Sequence, residues 1–429
     1  MTDLTKRMAG YAVPLPAINQ SFNDFVTRVT AQRNMGHSPQ DLDFFAAHLN
    51  PLFTYAHGLY SADFARRSMT RPGMISQRKR GSTTLFMDSG GYGFISGQIP
   101  VHDIVDLRRE ALVAQEKFAD AACVVDVPTA CIGKAIRGAE TFDKCLGLTE
   151  DSIDYVVNRR DPTLSLRMLN MLQGVTPGDV RRWYDAVQSA PLDGFGFAGA
   201  QRKNIALVLE LVVKMIRDGR IGSRSWFHVF GTNHPGVAVL LTAIQRRLRN
   251  LYGDEVRISF DSSTSFRYTQ ANGLIVRGLA ADRKSIGLAN YQVAQLGQGI
   301  DGNGPWPFDS PIGTGKRIAD FLSMTVASGA ARIKSADATG QMMLSHHSLF
   351  IELSALVEAN ALFDMEHGDD WKNRPKLGLP YLLHAGVDRI DETFDRVQAG
   401  DIKAAISHAA AGSALRAFSG AADDGEEER

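Results

Sequence analysis

The chain contains a series of short apolar runs, each of which closes on a polar residue or a glycine. These runs are TTLFMDSGG, ACVVDVPT, RMLNMLQGV, DGFGFAGA, WFHVFGTN and VRISFDSST. Longer stretches with helical periodicity separate most of them, for example VHDIVDLRREALVAQEKFA and NIALVLELVVKMIRDG. Apolar runs of strand length that alternate with amphipathic helices indicate β/α units and a parallel sheet.

The spacing of the runs predicts a fold of the α/β class, a TIM (β/α)8 barrel. Steps of 38, 47, 26, 32 and 30 residues separate the positions at which successive runs end. Such steps suit the repeating units of this barrel, which takes about 250 residues in total. Because active sites in these barrels lie at the carboxyl ends of the strands, the residues that close the runs are candidate site residues. They are Asp88, Asp126, Gln173, Gly199, Gly231 and Asp261.

The remaining segments predict helical additions on both sides of the barrel. Residues 1–75 contain amphipathic patterns such as SFNDFVTRVTAQRN and predict an N-terminal helical region, which leaves 76–360 for the barrel domain. Within that domain, residues 287–317 are rich in glycine and proline and predict a loop or insertion. Residues 361–420 predict a C-terminal helical appendage, and 421–429 predict an acidic, disordered tail.

Composition and charge narrow the class of protein. The 47 basic and 47 acidic side chains give a formal net charge of zero and no overall attraction to nucleic acid, although a local basic groove is compatible with this balance. Cys123, Cys131 and Cys145 form neither a disulfide framework nor a zinc pattern. Since no signal peptide and no run of about 18 apolar residues is present, we expect a cytoplasmic protein without a membrane helix.

Motifs between about residues 85 and 275, and more faintly to about 360, resemble the tRNA-guanine transglycosylases. The run DSGGYGF at 88–94 is similar to one family motif, and FDSSTSFRYTQANG at 260–273 is similar to the nucleophile segment. In that segment Arg267 follows Asp261 by six residues. MLQGV, GFGFAG and FGTNHP are similar to the family's Gln-Gly, Gly-Gly-Leu and Met-Gly strand ends, in the same order. The family's fold is a TIM barrel, which agrees with the spacing of the runs.

Two departures from the family favour a divergent branch, the DNA-guanine transglycosylases of bacterial and phage DNA-modification systems. The family's zinc subdomain needs a Cys-x-Cys-x-x-Cys cluster after the nucleophile segment, and no cysteine follows Arg267 in this chain. His347 falls near the position of the family's ligand His but has no thiolate partners. Gly93, directly after Tyr92, replaces the Gln that is usual in the tRNA enzymes.

The expected partners and cofactors follow from this branch. The resemblance implies exchange of guanine in DNA for a 7-deazaguanine base, typically 7-cyano-7-deazaguanine, which is a co-substrate. DNA is the favoured nucleic acid and tRNA is the alternative. No zinc or other cofactor is expected. Companion proteins of a DNA-modification system are possible partners.

The resemblance also assigns the catalytic roles. Asp261 would be the nucleophile that attacks C1′ and holds the sugar covalently. Asp88 would be the general acid and base that moves protons on the departing and arriving bases. Arg267 would contact the phosphate backbone. The local sequence FDSSTS alone favours a residue that caps a turn at Asp261, whereas the other strand ends favour the nucleophile.

The other candidates would form the base pocket. Asp126 would accept hydrogen bonds from the N–H groups of guanine, and Gln173 and Gly199 would complete the pocket. Tyr92 and Phe230 would stack on the two faces of the base, and the glycines after Asp88 would leave room for it. Each of these residues also has an ordinary alternative role. Asp126 could be an N-cap or turn residue before Pro128, and Gly199 could simply form a tight turn. Tyr92 and Phe230 could both be core aromatic residues.

Three other functions are compatible with the sequence. The first is a tRNA-guanine transglycosylase that dispenses with zinc. The second is a non-catalytic relative that binds nucleic acid but forms no covalent adduct. The third is an unrelated TIM-barrel hydrolase, such as a glycosidase, which would have no use for residues that recognise guanine.

Overall fold

An eight-stranded, all-parallel closed barrel forms the centre of the protein. The computed structural model describes residues 2–31, 36–46, 50–67, 69–269, 273–293, 304–322, 324–327, 330–333, 336–368, 370–373 and 378–418. The barrel strands are β1 Val13–Ile18, β2 His57–Ser61, β3 Thr84–Asp88, β4 Ala121–Cys123, β5 Arg167–Leu172, β6 Gly194–Phe197, β7 Trp226–Val229 and β8 Arg257–Ser262. Each strand pairs with its neighbours in chain order, and β8 pairs with β1 to close the barrel. The TIM barrel predicted from the spacing is confirmed.

Helices connect the strands and cover the outside of the barrel. They are α1 Leu4–Arg7, α2 Gln20–Phe25, α3 Ala62–Arg67, α4 Met74–Gln77, α5 Tyr92–Ile95, α6 Ile104–Phe118, α7 Ala130–Gly133, α8 Phe142–Arg159, α9 Pro177–Val187, α10 Ile205–Arg217 and α11 Pro235–Tyr252. The polar side chains that precede several helices explain where they begin. Thr141 caps α8, and Thr176 with Asp179 forms a capping box at α9.

Further elements follow the last barrel strand. They are the hairpin β9 Leu274–Ala281 and β10 Ile286–Gln292, the pair β11 Met324–Ala327 and β12 Ala330–Ile333, and the helices α12 Ile318–Phe321, α13 Ala338–Glu366, α14 Tyr381–Gln398, α15 Ile402–Ala410 and α16 Ser413–Arg416. Helices α15 and α16 pack on α10, which explains why almost every residue of IALVLELVVKMIR is buried. The predicted helical additions at the C-terminal side are therefore present.

The N-terminal boundary predicted from the sequence is wrong. Strands β1 and β2 lie within residues 1–75, so the barrel begins at Val13 and the N-terminal helical region outside it does not exist as predicted. The sequence of β1 is VPLPAI, and two prolines obscure a strand pattern because proline cannot donate to a ladder. The sequence of β2, HGLYS, is short and contains a glycine. Among the described residues of the amphipathic pattern that starts at Ser21, helix is found only in α2.

The C-terminal boundary also differs from the prediction. The barrel closes at Ser262, and the hairpin of β9 and β10 pairs only within itself, so it adds no barrel strand. The predicted boundary at residue 360 falls inside α13, which is continuous from Ala338 to Glu366. The predicted loop over 287–317 begins as strand β10, and its residues 294–303 lie outside the described residues, as does the predicted acidic tail at 421–429.

None of the helices in the described part of the chain combines the length and the apolar character that crossing a bilayer requires. The long helix α13 is instead buried against β9 and α11. It carries polar residues on its buried surface, including Ser345, His346, His347 and Ser348. The pair of histidines is thus packed inside the fold.

Candidate active site

A cavity of about 480 Å³ lies at the carboxyl ends of the barrel strands. Ligand sites for small molecules typically occupy about 300–1,000 Å³, so this cavity is large enough to hold a substrate. Seven of the eight residues given a role in the sequence analysis line it, and so does Gly231, the remaining residue that closes an apolar run. The seven are Asp88, Tyr92, Asp126, Gln173, Gly199, Phe230 and Asp261. The barrel therefore brings together residues that lie far apart in the chain.

Asp88 ends strand β3 and accepts hydrogen bonds from backbone groups. The N–H of Gly90 donates to Asp88 Oδ1 at 2.9 Å, and the N–H of Ala62 donates to the same oxygen at 3.3 Å. Burial raises the pKa of Asp88 to about 7, because the hydrogen bonds from Ser61 and Gly90 offset only part of the desolvation and the charge of Asp261 raises the pKa further. A carboxyl group with this pKa can both donate and accept a proton near neutral pH.

The two glycines after Asp88 are required by close packing. Gly90 has a φ of +76°, and a Cβ there would lie 3.1 Å from the Cβ of Asp63. A Cβ on Gly91 would lie 3.1 Å from the carbonyl oxygen of Asp126 and 3.2 Å from its Oδ1. Gly91 lines the cavity, but its missing side chain makes room for Asp126. Gly90 thus lets the segment after β3 approach α3, and Gly91 lets it approach the segment after β4.

Asp126 is fully buried and holds a fixed orientation. The hydroxyl of Ser89 donates to Asp126 Oδ1 at 2.7 Å, and Gln173 Nε2 donates to Asp126 Oδ2 at 2.6 Å. Burial raises the pKa of Asp126, and these two hydrogen bonds act against that rise. Asp126 and Gln173, predicted as separate contacts to the base, are therefore bonded to each other. Both residues line the cavity.

Gly199 lies in a tight turn directly after β6. Its φ is +65°, and a Cβ there would lie 2.6 Å from the carbonyl oxygen of Gly174. The N–H of Ala200 donates to that same carbonyl at 2.9 Å. The turn reading of Gly199 is therefore right, and the residue lines the cavity as well.

Asp261 lies in strand β8 and is held from strand β7. The backbone N–H of Gly231 donates to Asp261 Oδ1 at 2.9 Å, and His228 Nε2 lies 3.2 Å from the same oxygen. Within the described part of the chain, Asp261 Oδ2 has no hydrogen-bond partner. The side chain is therefore bonded across to β7 rather than to the Ser- and Thr-rich turn that follows it, which contradicts the turn-cap alternative.

The two candidate stacking residues occupy different positions at the cavity. Tyr92 is 37% exposed at the first position of α5, and Phe230 is partly buried after β7. A Cβ on Gly196 would lie 3.0 Å from Phe230 Cε2, so the glycine in β6 makes room for this ring. Arg267 does not line the cavity: its guanidinium lies over the Tyr92 ring, 5.8 Å from the ring centre.

The structure adds cavity residues that the sequence reasoning missed. Lys134 after α7 and Arg202 after β6 bring positive charge to the cavity, and Val175 is 62% exposed beside Gly174. A single basic residue in a loop carries no sequence signal. His228 does not line the cavity but contacts Asp261, and its position carried a sequence signal, because it lies two residues before Phe230 and a strand places alternate residues on one face.

The residues around His347 do not fit a zinc site. His347 Nδ1 lies 2.7 Å from Ser310 Oγ, and the imidazole packs edge-on against Trp306 with 5.5 Å between ring centres. Trp306 in turn stacks on Phe321 at 3.9 Å. These neighbours are aromatic rings and a hydroxyl, whereas a structural zinc site of the implied kind needs thiolates. The described residues contain no group of three or more His, Cys, Asp or Glu side chains that could hold a metal ion.

Fold and cavity together define the class of protein: a TIM-barrel protein whose strand ends form a cavity lined by carboxylates. Comparison with known proteins does not refine this class. No protein-family model matches the chain, and no curated protein matches it significantly.

Proposed function

We propose that the protein is a nucleic-acid guanine transglycosylase that exchanges guanine in DNA for a 7-deazaguanine base. One observation carries the proposal: two carboxylates in different environments, Asp88 and Asp261, line one cavity. Asp88 has a pKa of about 7 and suits a general acid and base. Asp261 has one oxygen held by neighbouring donors and the other without a partner among the described residues, which suits a nucleophile.

The chemistry needs only these two groups. Asp261 Oδ2 attacks C1′ of the target nucleoside, a C–O bond forms, and the bond from C1′ to the guanine nitrogen breaks. Protonated Asp88 gives its proton to the departing guanine. The arriving 7-deazaguanine then loses a proton to Asp88, and its nitrogen displaces Asp261 from C1′. Two displacements at the same carbon retain the configuration of the sugar.

The rest of the cavity supports a purine as the substrate. Asp126 and Gln173 form a buried, mutually bonded pair in the cavity wall, and the remaining lone pairs of their side-chain oxygens can accept from N–H groups such as those of a guanine edge. Tyr92 and Phe230 provide aromatic surfaces, and stacking of a base on such a ring contributes about 1–3 kcal/mol. A glycosidase would have no use for this combination.

The surroundings of the cavity support a nucleic-acid substrate. Lys134, Arg202 and Arg267 provide positive charge for phosphates. A base in a duplex must leave the helix to enter a cavity, and an exposed apolar group such as Val175 can occupy the space it leaves. The preference for DNA over tRNA rests on the poor fit of the His347 region to the zinc subdomain of the tRNA enzymes.

The test is nucleoside mass spectrometry after incubation with 7-cyano-7-deazaguanine. Plasmid DNA, single-stranded DNA and bulk tRNA are used separately, and the single-stranded sample removes the need for a partner that opens the duplex. We expect the deazaguanine in DNA. Asp261→Asn should abolish both exchange and the covalent adduct, Asp88→Asn should lower the rate by about 10²–10⁴, and the exposed control Asp254→Asn should match the wild type.

Other outcomes would replace the proposal with a named rival. Deazaguanine in tRNA alone would identify a tRNA enzyme without the zinc subdomain. Binding of nucleic acid without exchange or adduct would indicate the non-catalytic relative. Release of a free base without incorporation of deazaguanine would indicate a hydrolase. Full activity in Asp261→Asn would refute the mechanism.

A further inference from the structure

We propose that His228 is a positioning residue that orients Asp261 for attack, and that Trp226 and Ser259 hold it in place through a chain of buried hydrogen bonds. The geometric part stands on the structure alone, while the kinetic part rests on the proposed function. Neither His228 nor its two supporting residues lines the cavity, so they act through Asp261.

The chain of hydrogen bonds follows the register of two neighbouring strands. Ser259 on β8 lies directly beside His228 on β7, and Trp226 and Asp261 are two residues away on the same face of their strands. Trp226 Nε1 donates to Ser259 Oγ at 2.7 Å. Ser259 Oγ lies 2.8 Å from His228 Nδ1, and His228 Nε2 lies 3.2 Å from Asp261 Oδ1.

The partners determine which imidazole nitrogen carries the hydrogen. Trp226 can only donate, so the hydroxyl hydrogen of Ser259 remains available, and it points to His228 Nδ1 at 2.8 Å rather than to the Phe227 carbonyl at 3.4 Å. Neutral His228 therefore carries its hydrogen on Nε2 and donates it to Asp261. A protonated imidazole would also donate from Nε2, and the Ser259 hydroxyl would then donate to the Phe227 carbonyl instead. Nε2 is therefore the donor to Asp261 in both forms.

Aromatic packing prevents the imidazole from turning away. His228 is fully buried, and Phe86 is stacked on it with 4.3 Å between ring centres and an angle of 24°. Phe230, which lines the cavity, meets the imidazole edge-on at 4.2 Å. His228 thus supports two cavity residues at once, the carboxylate of Asp261 and the ring of Phe230.

The two carboxylate oxygens of Asp261 have different hydrogen-bond partners, and this difference affects the reaction. Gly231 and His228 both donate to Asp261 Oδ1, so Oδ2 is the oxygen left to attack C1′. When the arriving base displaces Asp261, negative charge returns to the carboxylate, and the two donors stabilise it. Loss of the His228 donor should therefore slow the step that breaks the Asp261–C1′ bond and let the covalent adduct accumulate.

Kinetics of four variants test this role. His228→Phe keeps an aromatic ring but removes the donor, and should lower kcat by about 100-fold with little change in KM for the nucleic acid. His228→Gln places an amide donor in similar reach and should recover activity to within about 10-fold of the wild type. Ser259→Ala should lower kcat by about 10-fold. The matched control is Ser310→Ala, because Ser310 also bonds the Nδ1 of a buried histidine, His347, but lies outside the cavity.

A spectroscopic measurement separates this inference from the proposed function. Long-range ¹H–¹⁵N correlation spectra of ¹⁵N-histidine-labelled protein report which nitrogen of His228 is protonated. We expect the hydrogen on Nε2 in the wild type and a mixture of tautomers in Ser259→Ala. This result would support the positioning role even if no substrate is exchanged. In that case only the proposed function would fail. Neutral His228 with hydrogen on Nδ1, or equal loss of activity in Ser259→Ala and Ser310→Ala, would overturn the inference.

Discussion

Replacement of Asp88 by Asn should stabilise the protein at neutral and alkaline pH. Its carboxyl group has a pKa of about 7 in the fold against an ordinary value of 3.8, mainly because burial disfavours the charged form. Below about pH 4 the group is protonated in both the folded and the unfolded chain and has no effect on stability. As the pH rises from about 4 to 7, the unfolded chain ionises first, so the folded state loses stability.

The size of this loss follows from the difference in pKa. A difference of about three pH units, at 1.36 kcal/mol per unit, corresponds to about 4 kcal/mol above pH 7. Asn retains a side-chain oxygen that can accept the N–H of Gly90 but cannot ionise, so it avoids this cost. The expected gain of Asp88→Asn is therefore near zero at about pH 4 and reaches a plateau above about pH 7.

Urea denaturation of wild type and variant between about pH 4 and pH 9 measures the gain. The exposed variant Asp254→Asn is the control and should show no comparable dependence on pH. A constant difference between wild type and Asp88→Asn over this range would refute the reasoning, since it would mean that Asp88 ionises equally easily in the folded and unfolded chains. The experiment needs no substrate and is independent of the proposed function.

Three further predictions concern the surroundings of the site. Gly199→Ala should destabilise the fold by about 1–3 kcal/mol in urea denaturation, because a left-handed backbone and the carbonyl of Gly174 leave no place for a Cβ; an unchanged midpoint would contradict the close approach. Lys134→Ala should weaken the binding of nucleic acid and reduce the steepness of the plot of log affinity against log salt concentration by about one. Fluorescence anisotropy measures this change, and an unchanged slope would exclude a phosphate contact. Cys123 should resist thiol reagents until the protein unfolds, because burial raises the pKa of its thiol well above the ordinary value. Rapid labelling of the native protein would contradict this and show that the barrel opens.

The sequence predicts most of the barrel because six of its strands are buried apolar runs. Such runs are visible without knowledge of their partners, and β3 to β8 are all found where they occur. Strands β1 and β2 were missed because VPLPAI and HGLYS lack a strand pattern of their own. What makes β1 a strand is its pairing with β8 and β2, a tertiary condition that local sequence does not express.

The site shows the same division between local and tertiary information. The sequence predicts three acidic site residues correctly as neighbours, because the carboxyl ends of parallel strands meet at one end of a barrel. They are Asp88, Asp126 and Asp261. The hydrogen bond from Gln173 to Asp126 and the contact of His228 with Asp261 could not be predicted, since both depend on the register and orientation of neighbouring strands. His228 was read as part of an apolar run, and only Ser259 on the adjacent strand reveals its polar connections.

The closure of the barrel has a consequence for the newly made protein. Strand β8, which carries Asp261, is held between β7 and β1, and Asp261 lies directly beside Leu15 of β1. On the ribosome, β1 emerges before the other seven barrel strands and β8 emerges after them, so one edge of β1 stays unpaired in the meantime. A partial chain can already contain Asp88, Asp126 and Phe230 and still lack Asp261, the proposed nucleophile. The proposed cleavage of a glycosidic bond therefore requires that the first and last strands of the barrel have met.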